Sequence, residues 1–121
     1  MNKTIADTLK ELGIPVNILG YRYLNDAIEL ALKDETIIHR VSKEIYPAVA
    51  DINKSTASRV ERNIRHAIEF AFTKSKSPIL FDVFKNTVSN KTGAVTNSTF
   101  IATVTEYINF LNESLEVITN G

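Results

Sequence analysis

Apolar residues recur three and four positions apart along most of the chain, the spacing of a helix that buries one stripe. Ile5, Leu9 and Leu12 predict a first helix over Thr4–Leu12, with Gly13 just past its end as a C-terminal cap. Ile14–Gly20 reads as an extended connection. Leu24, Ile28, Ala31 and Leu32 predict a second helix from Tyr21 or Arg22 to Lys33. A third is expected near Thr36–Tyr46. Pro47 either ends it or opens a short helix through Asp51, because proline is favoured at the first helical position. A fourth helix covers about Thr56–Thr73, capped by Ser55 or Thr56. A fifth, over Pro78–Lys85, is short. Asn86–Val95 is a polar loop with little to bury, and a sixth helix follows Thr96-Asn97-Ser98, from Thr99 to about Ile118. No internal repeat interrupts this series. The expectation is one all-α domain, a compact bundle of about six helices, filling the 121 residues.

Only the fourth helix carries a pronounced charge pattern. At about 100° per residue, with Val60 at zero, Ile64, Ala67, Ile68, Ala71 and Phe72 fall between roughly −20° and +120°, whereas Ser58, Arg59, Arg62, Arg65, His66 and Glu69 fall between about 140° and 260°. An ordinary solvated face would give the same amphipathicity. Two features favour a ligand instead. The outward charges are mostly arginines, which fork onto phosphates and guanine edges. The helix also follows a short turn, Ile52-Asn53-Lys54-Ser55, after another short helix. That is the layout of a helix-turn-helix, with small Ala50 where the two helices approach, Ile52 apolar at the turn, and Val60 and Ile64 packing the second helix back.

The formal net charge of zero argues against a nucleic-acid partner until it is resolved along the chain. From Asn53 to Lys76 there are six basic residues and two acidic ones, and from Ala94 onward there are three glutamates and no lysine or arginine. Because salt screens beyond about 8–10 Å, the local charge is what a polyanion meets.

Other chemistries find no support. The chain has no cysteine, which removes a disulfide framework, a thiolate metal site and a cysteine nucleophile. His39 and His66 fit no metal-ligand spacing, so no metal, cofactor or catalytic residue is expected, and the chain is not read as an enzyme. The residues Met1–Asp7 lack the apolar run of a signal peptide, no stretch reaches the roughly 18 apolar residues of a membrane span, and a soluble, cytoplasmic domain is expected.

The segment Ser55-Thr56-Ala57-Ser58-Arg59-Val60-Glu61-Arg62-Asn63-Ile64-Arg65-His66-Ala67-Ile68-Glu69 closely resembles the recognition helix of the stage 0 sporulation protein A family, the sporulation response regulators of endospore-forming bacteria. The resemblance is to their C-terminal DNA-binding effector domain. It extends through Gly13-Ile14-Pro15-Val16, Gly20-Tyr21-Arg22-Tyr23-Leu24-Asn25-Asp26-Ala27-Ile28, Ile45-Tyr46-Pro47 and Thr96-Asn97-Ser98-Thr99-Phe100-Ile101-Ala102. It implies a sequence-specific transcription regulator that binds double-stranded DNA, often as tandem boxes. By this resemblance Glu61 and Arg62 read bases, and Ser58, Arg59, Arg65 and His66 make base or phosphate contacts nearby. Lys54 and Ser55 suit phosphates. Asn63 stands where the family usually has alanine and is expected to add a base contact or to alter the box preference. Phe70 and Phe72 replace valine and tryptophan, a change expected to repack the core. Ser75–Asn86 departs most from the family, whose equivalent region touches RNA polymerase sigma factor. Family members also carry a receiver domain, which this chain lacks. It reads either as an excised effector domain or as a stand-alone relative.

In the sixth helix Ile101, Val104, Ile108, Leu111, Leu115 and Ile118 form an a/d seam. The seam reads either as packing on the domain's own core or, as the resemblance implies, as a homodimer contact. It motivates the rival reading, a protein-interaction module that pairs with or titrates a related regulator.

Overall fold

The structure is a computed structural model that describes residues 4–85, 87–88 and 92–120, with side chains described as far as Ser114. Among the described residues every regular element is helical: α1 (Ile5–Glu11), α2 (Leu19–Lys33), α3 (Tyr46–Asn53), α4 (Ala57–Phe70), α5 (Pro78–Phe84) and α6 (Asn97–Asn120). No helix is long and apolar enough to cross a membrane. Thr4 caps α1 by accepting from the Asp7 amide at 3.0 Å, and Gly13 at φ +90° ends it, as expected. The carbonyls left over at that end are satisfied from far along the chain: the Ser77 hydroxyl donates to Glu11 O and the Ser75 hydroxyl to Gly13 O, both at 2.7 Å.

Several boundaries differ from expectation: α6 opens at Asn97 rather than Thr99, and α4 ends at Phe70 and passes into a π-helical turn over Ala71–Ser75 rather than running to Thr73. α2 begins at Leu19, so Gly20 lies within the helix rather than in an extended connection. A Cβ on Gly20 would stand 2.4 Å from Asn63 O and 2.5 Å from the Ala67 Cβ. This glycine is where α2 crosses α4 almost backbone to backbone. The expected third helix is instead three pieces: a 3₁₀ turn over Glu35–His39, a π-helical turn over Val41–Ile45, and α3 with Pro47 in its first turn. Proline has no N–H to donate and its ring crowds the carbonyl four residues back, so the widened turn before it relieves the clash. Pro47 opens α3, which runs to Asn53 rather than Asp51.

The core is one cluster drawn from every helix. Phe72 meets Phe84 edge-on at 5.7 Å, and Phe84 stacks on Phe100 at 5.2 Å, which ties the end of α4 to α5 and α6. Phe72 thus takes the expected core place, while Phe70 does not: 44% exposed, it stands at the surface. The α6 seam is also partly spent on this core. Ile101, Val104 and Ile108 are 0–1% exposed within the domain, which removes them from a dimer contact. Leu111 is half-buried, and the side chains of Leu115 and Ile118 lie outside the described residues.

Candidate nucleic-acid interface

The helix-turn-helix is built by α3 and α4. Lys54, between them, adopts the left-handed conformation (φ 52°, ψ 48°). Its amide and that of Ser55 close the end of α3 onto Asp51 O (3.4 Å) and Ala50 O (2.9 Å), the double closure of a Schellman cap. A lysine in that conformation costs about 1 kcal/mol relative to glycine. Asn53 then fixes the turn laterally, its amide donating to Asp26 Oδ2 (2.8 Å) on α2 and to Val49 O (2.9 Å). Ala50 is buried at the helix crossing, as expected, whereas Ile52 is 59% exposed.

α4 starts at Ala57, with Thr56 as its cap: the Thr56 hydroxyl oxygen accepts from the Arg59 amide at 3.2 Å. Val60, Ile64, Ala67 and Ile68 are buried, and Ser58, Arg59, Arg62, Arg65 and His66 are exposed on the far side. The first turn holds no acidic residue, so the positive end of the helix dipole is not locally neutralised. Lys54 is exposed and Ser55 half-buried at the same end.

Two side chains on this face are tethered in ways the sequence did not show. Arg65 Nη1 stands 2.5 Å from Glu61 Oε1, and its Nε stands 4.0 Å from Glu69 Oε1. One arginine thereby sits between two carboxylates along the helix, which offsets its charge and holds the Glu61 side chain in place. With side chains 36–48% exposed, such pairs are worth only about 0.3–0.5 kcal/mol each. Asn63 is the second. It is half-buried where α4 meets Gly20 of α2, and its amide donates to the Arg59 carbonyl one turn back at 2.8 Å.

The residue that sequence reasoning missed is Asn97. Only 9% exposed at the first position of α6, it donates to the Tyr46 hydroxyl at 2.9 Å and to Glu61 O at 3.0 Å. One amide group thus joins both helices of the motif to the last helix. Burial raises the pKa of the Tyr46 hydroxyl above the ordinary tyrosine value, an effect the Asn97 bond partly opposes. Polar Thr96-Asn97-Ser98 before an apolar run marks a helix start but carries no sign of a partner some fifty positions earlier.

A short helix, a capped left-handed turn and a second helix with an arginine-lined outer face define a helix-turn-helix domain of the DNA-binding class. Residues 5–108 match the family model described as sporulation initiation factor Spo0A, C terminal, and the chain belongs to that family. It is a DNA-binding effector domain of the sporulation-regulator kind.

Proposed function

We propose that this domain regulates transcription by sequence-specific binding, with α4 in the major groove. The observation that carries this reading is the outer face of α4, where Arg59, Arg62 and His66 are exposed and, among the described residues, make no ion pair. In this reading Arg62 forks onto guanine N7 and O6, and Glu61, steadied by Arg65, accepts from a cytosine amino group. Ser58, Arg59, Arg65 and His66, with Lys54 and Ser55 at the turn, set the register on phosphates. The uncompensated N-terminus of α4 adds backbone amides to that set.

Selection from a random duplex library, followed by anisotropy titrations against the enriched box and a scrambled duplex, tests the reading. The expected result is one short asymmetric box bound about 10³-fold or more above scrambled DNA, with affinity falling steeply as salt rises. Equal affinity for both duplexes would leave only non-specific attraction and defeat the proposal.

A further inference from the structure

α6 continues past Ile108, where the family match ends. The extension is pinned to the 3₁₀ turn by the Asn109 amide, which donates to Glu35 Oε1 at 3.0 Å. Phe110, one residue further, is 63% exposed, the highest value among the large apolar side chains that stand at the surface. Phe110 and Glu106 form a ridge between two shallow grooves. One is lined by Glu35, Ile38, His39, Ala102 and Glu113, and the other by Ile79, Asp82, Val83 and Tyr107. Among the described residues no lysine or arginine lines either groove. Glu106 and Glu113 make no ion pair among the described residues. The surface is thus an apolar ridge with four carboxylates around it.

From this we infer that the Phe110 ridge docks a basic, apolar-bearing helical segment of a partner protein, one that seats a large apolar side chain beside Phe110 and sets lysines or arginines against Glu35, Asp82, Glu106 and Glu113. Charge complementarity selects this occupant. Nucleic acid and anionic membrane are repelled by the same carboxylates, and interfaces centre on a large apolar anchor within a polar rim. At 1.5 Å per residue Phe110 lies about 20 Å along α6 from Asn97, so the partner and DNA can be held together.

The probe is a 16-residue peptide of leucine and lysine in helical register, titrated into the ¹⁵N-labelled full chain, with a leucine–glutamate counterpart and a scrambled leucine–lysine peptide as controls. The expected result is saturable binding with amide shifts confined to residues 35–39, 79–83 and 102–113. Phe110→Ser and the pair Glu106→Lys with Glu113→Lys should each weaken it at least tenfold, while both keep the melting temperature and Phe110→Ser keeps the affinity for duplex DNA. Equal binding of the scrambled or acidic peptide, shifts centred on α4, or indifference to these substitutions would overturn the inference. So would a dimer in sedimentation equilibrium that Phe110→Ser dissolves, since the ridge would then hold a second copy of the chain.

Discussion

α4 and α6 solve the same packing problem and present opposite surfaces. Both bury a continuous apolar stripe, Val60, Ile64, Ala67 and Ile68 in one, Phe100, Ile101, Val104 and Ile108 in the other. Outward, α4 shows Arg59, Arg62, Arg65 and His66, while α6 between Asn97 and Asn120 carries three glutamates and no lysine or arginine. The inner faces decide where each helix lies, and the outer faces are free to differ because little of the fold depends on them. Zero net charge conceals this division, since the two surfaces cancel in the sum but are met one at a time by a partner.

The comparison is broken most severely by moving α4 without touching its outer face. Gly20→Ala should destabilise the domain by about 3 kcal/mol, because the new methyl meets backbone and a packed methyl group rather than a side chain that can swing away. Urea unfolding measures the loss, and DNA affinity should fall with it although no basic residue has changed. Next in size, Arg62→Ala should cost about 1–3 kcal/mol on the specific box and much less on scrambled duplex, as titrations of both will show. An equal loss on both would make Arg62 a phosphate contact.

A smaller effect separates two arginines of the same face. Arg59→Ala should lower the slope of log affinity against log salt by about one unit. Arg65→Ala should lower it by less, because Glu61 and Glu69 already offset that charge. Identical slopes for the two variants would show that the carboxylates release Arg65 on the DNA. The smallest effect is at the turn. Lys54→Gly should raise stability by roughly 0.5–1 kcal/mol, since the left-handed conformation suits glycine, while weakening DNA binding a few-fold through the lost cation. Thermal unfolding and anisotropy on one preparation separate these two signs.

Much of this was legible in the sequence because it is local. The stripe of α4, the cap at Thr56, the small Ala50 and the opening proline of α3 depend on neighbours within one or two turns, and periodicity and capping rules report such neighbours. What periodicity did not show depends on contacts between distant segments. Asn63 lies at about −60° on the wheel of α4, between its two faces, and it is α2, crossing at Gly20 against the Asn63 carbonyl, that leaves it half-buried. Gly20 resembled a helix breaker until the crossing gave it a packing reason. For the seam of α6, spacing alone cannot say whether a stripe faces its own domain or another chain. Burial answers for Ile101, Val104 and Ile108.

The double bond from Asn97 has a bearing on how the domain comes apart. Tyr46 and Glu61 belong to different helices, and a single amide from α6 holds both. Neither half of the reading unit can open by itself without stranding a buried polar atom, so the amides of α3, α4 and the first turns of α6 should exchange with solvent in one cooperative step. The same knot gives the domain an alkaline limit. Because Tyr46 holds its proton more tightly folded than unfolded, the stability it contributes is intact below about pH 10, where a free tyrosine ionises, and is lost as pH rises through the raised folded value. Unfolding followed by exchange and by pH titration should therefore report one event at the buried Tyr46.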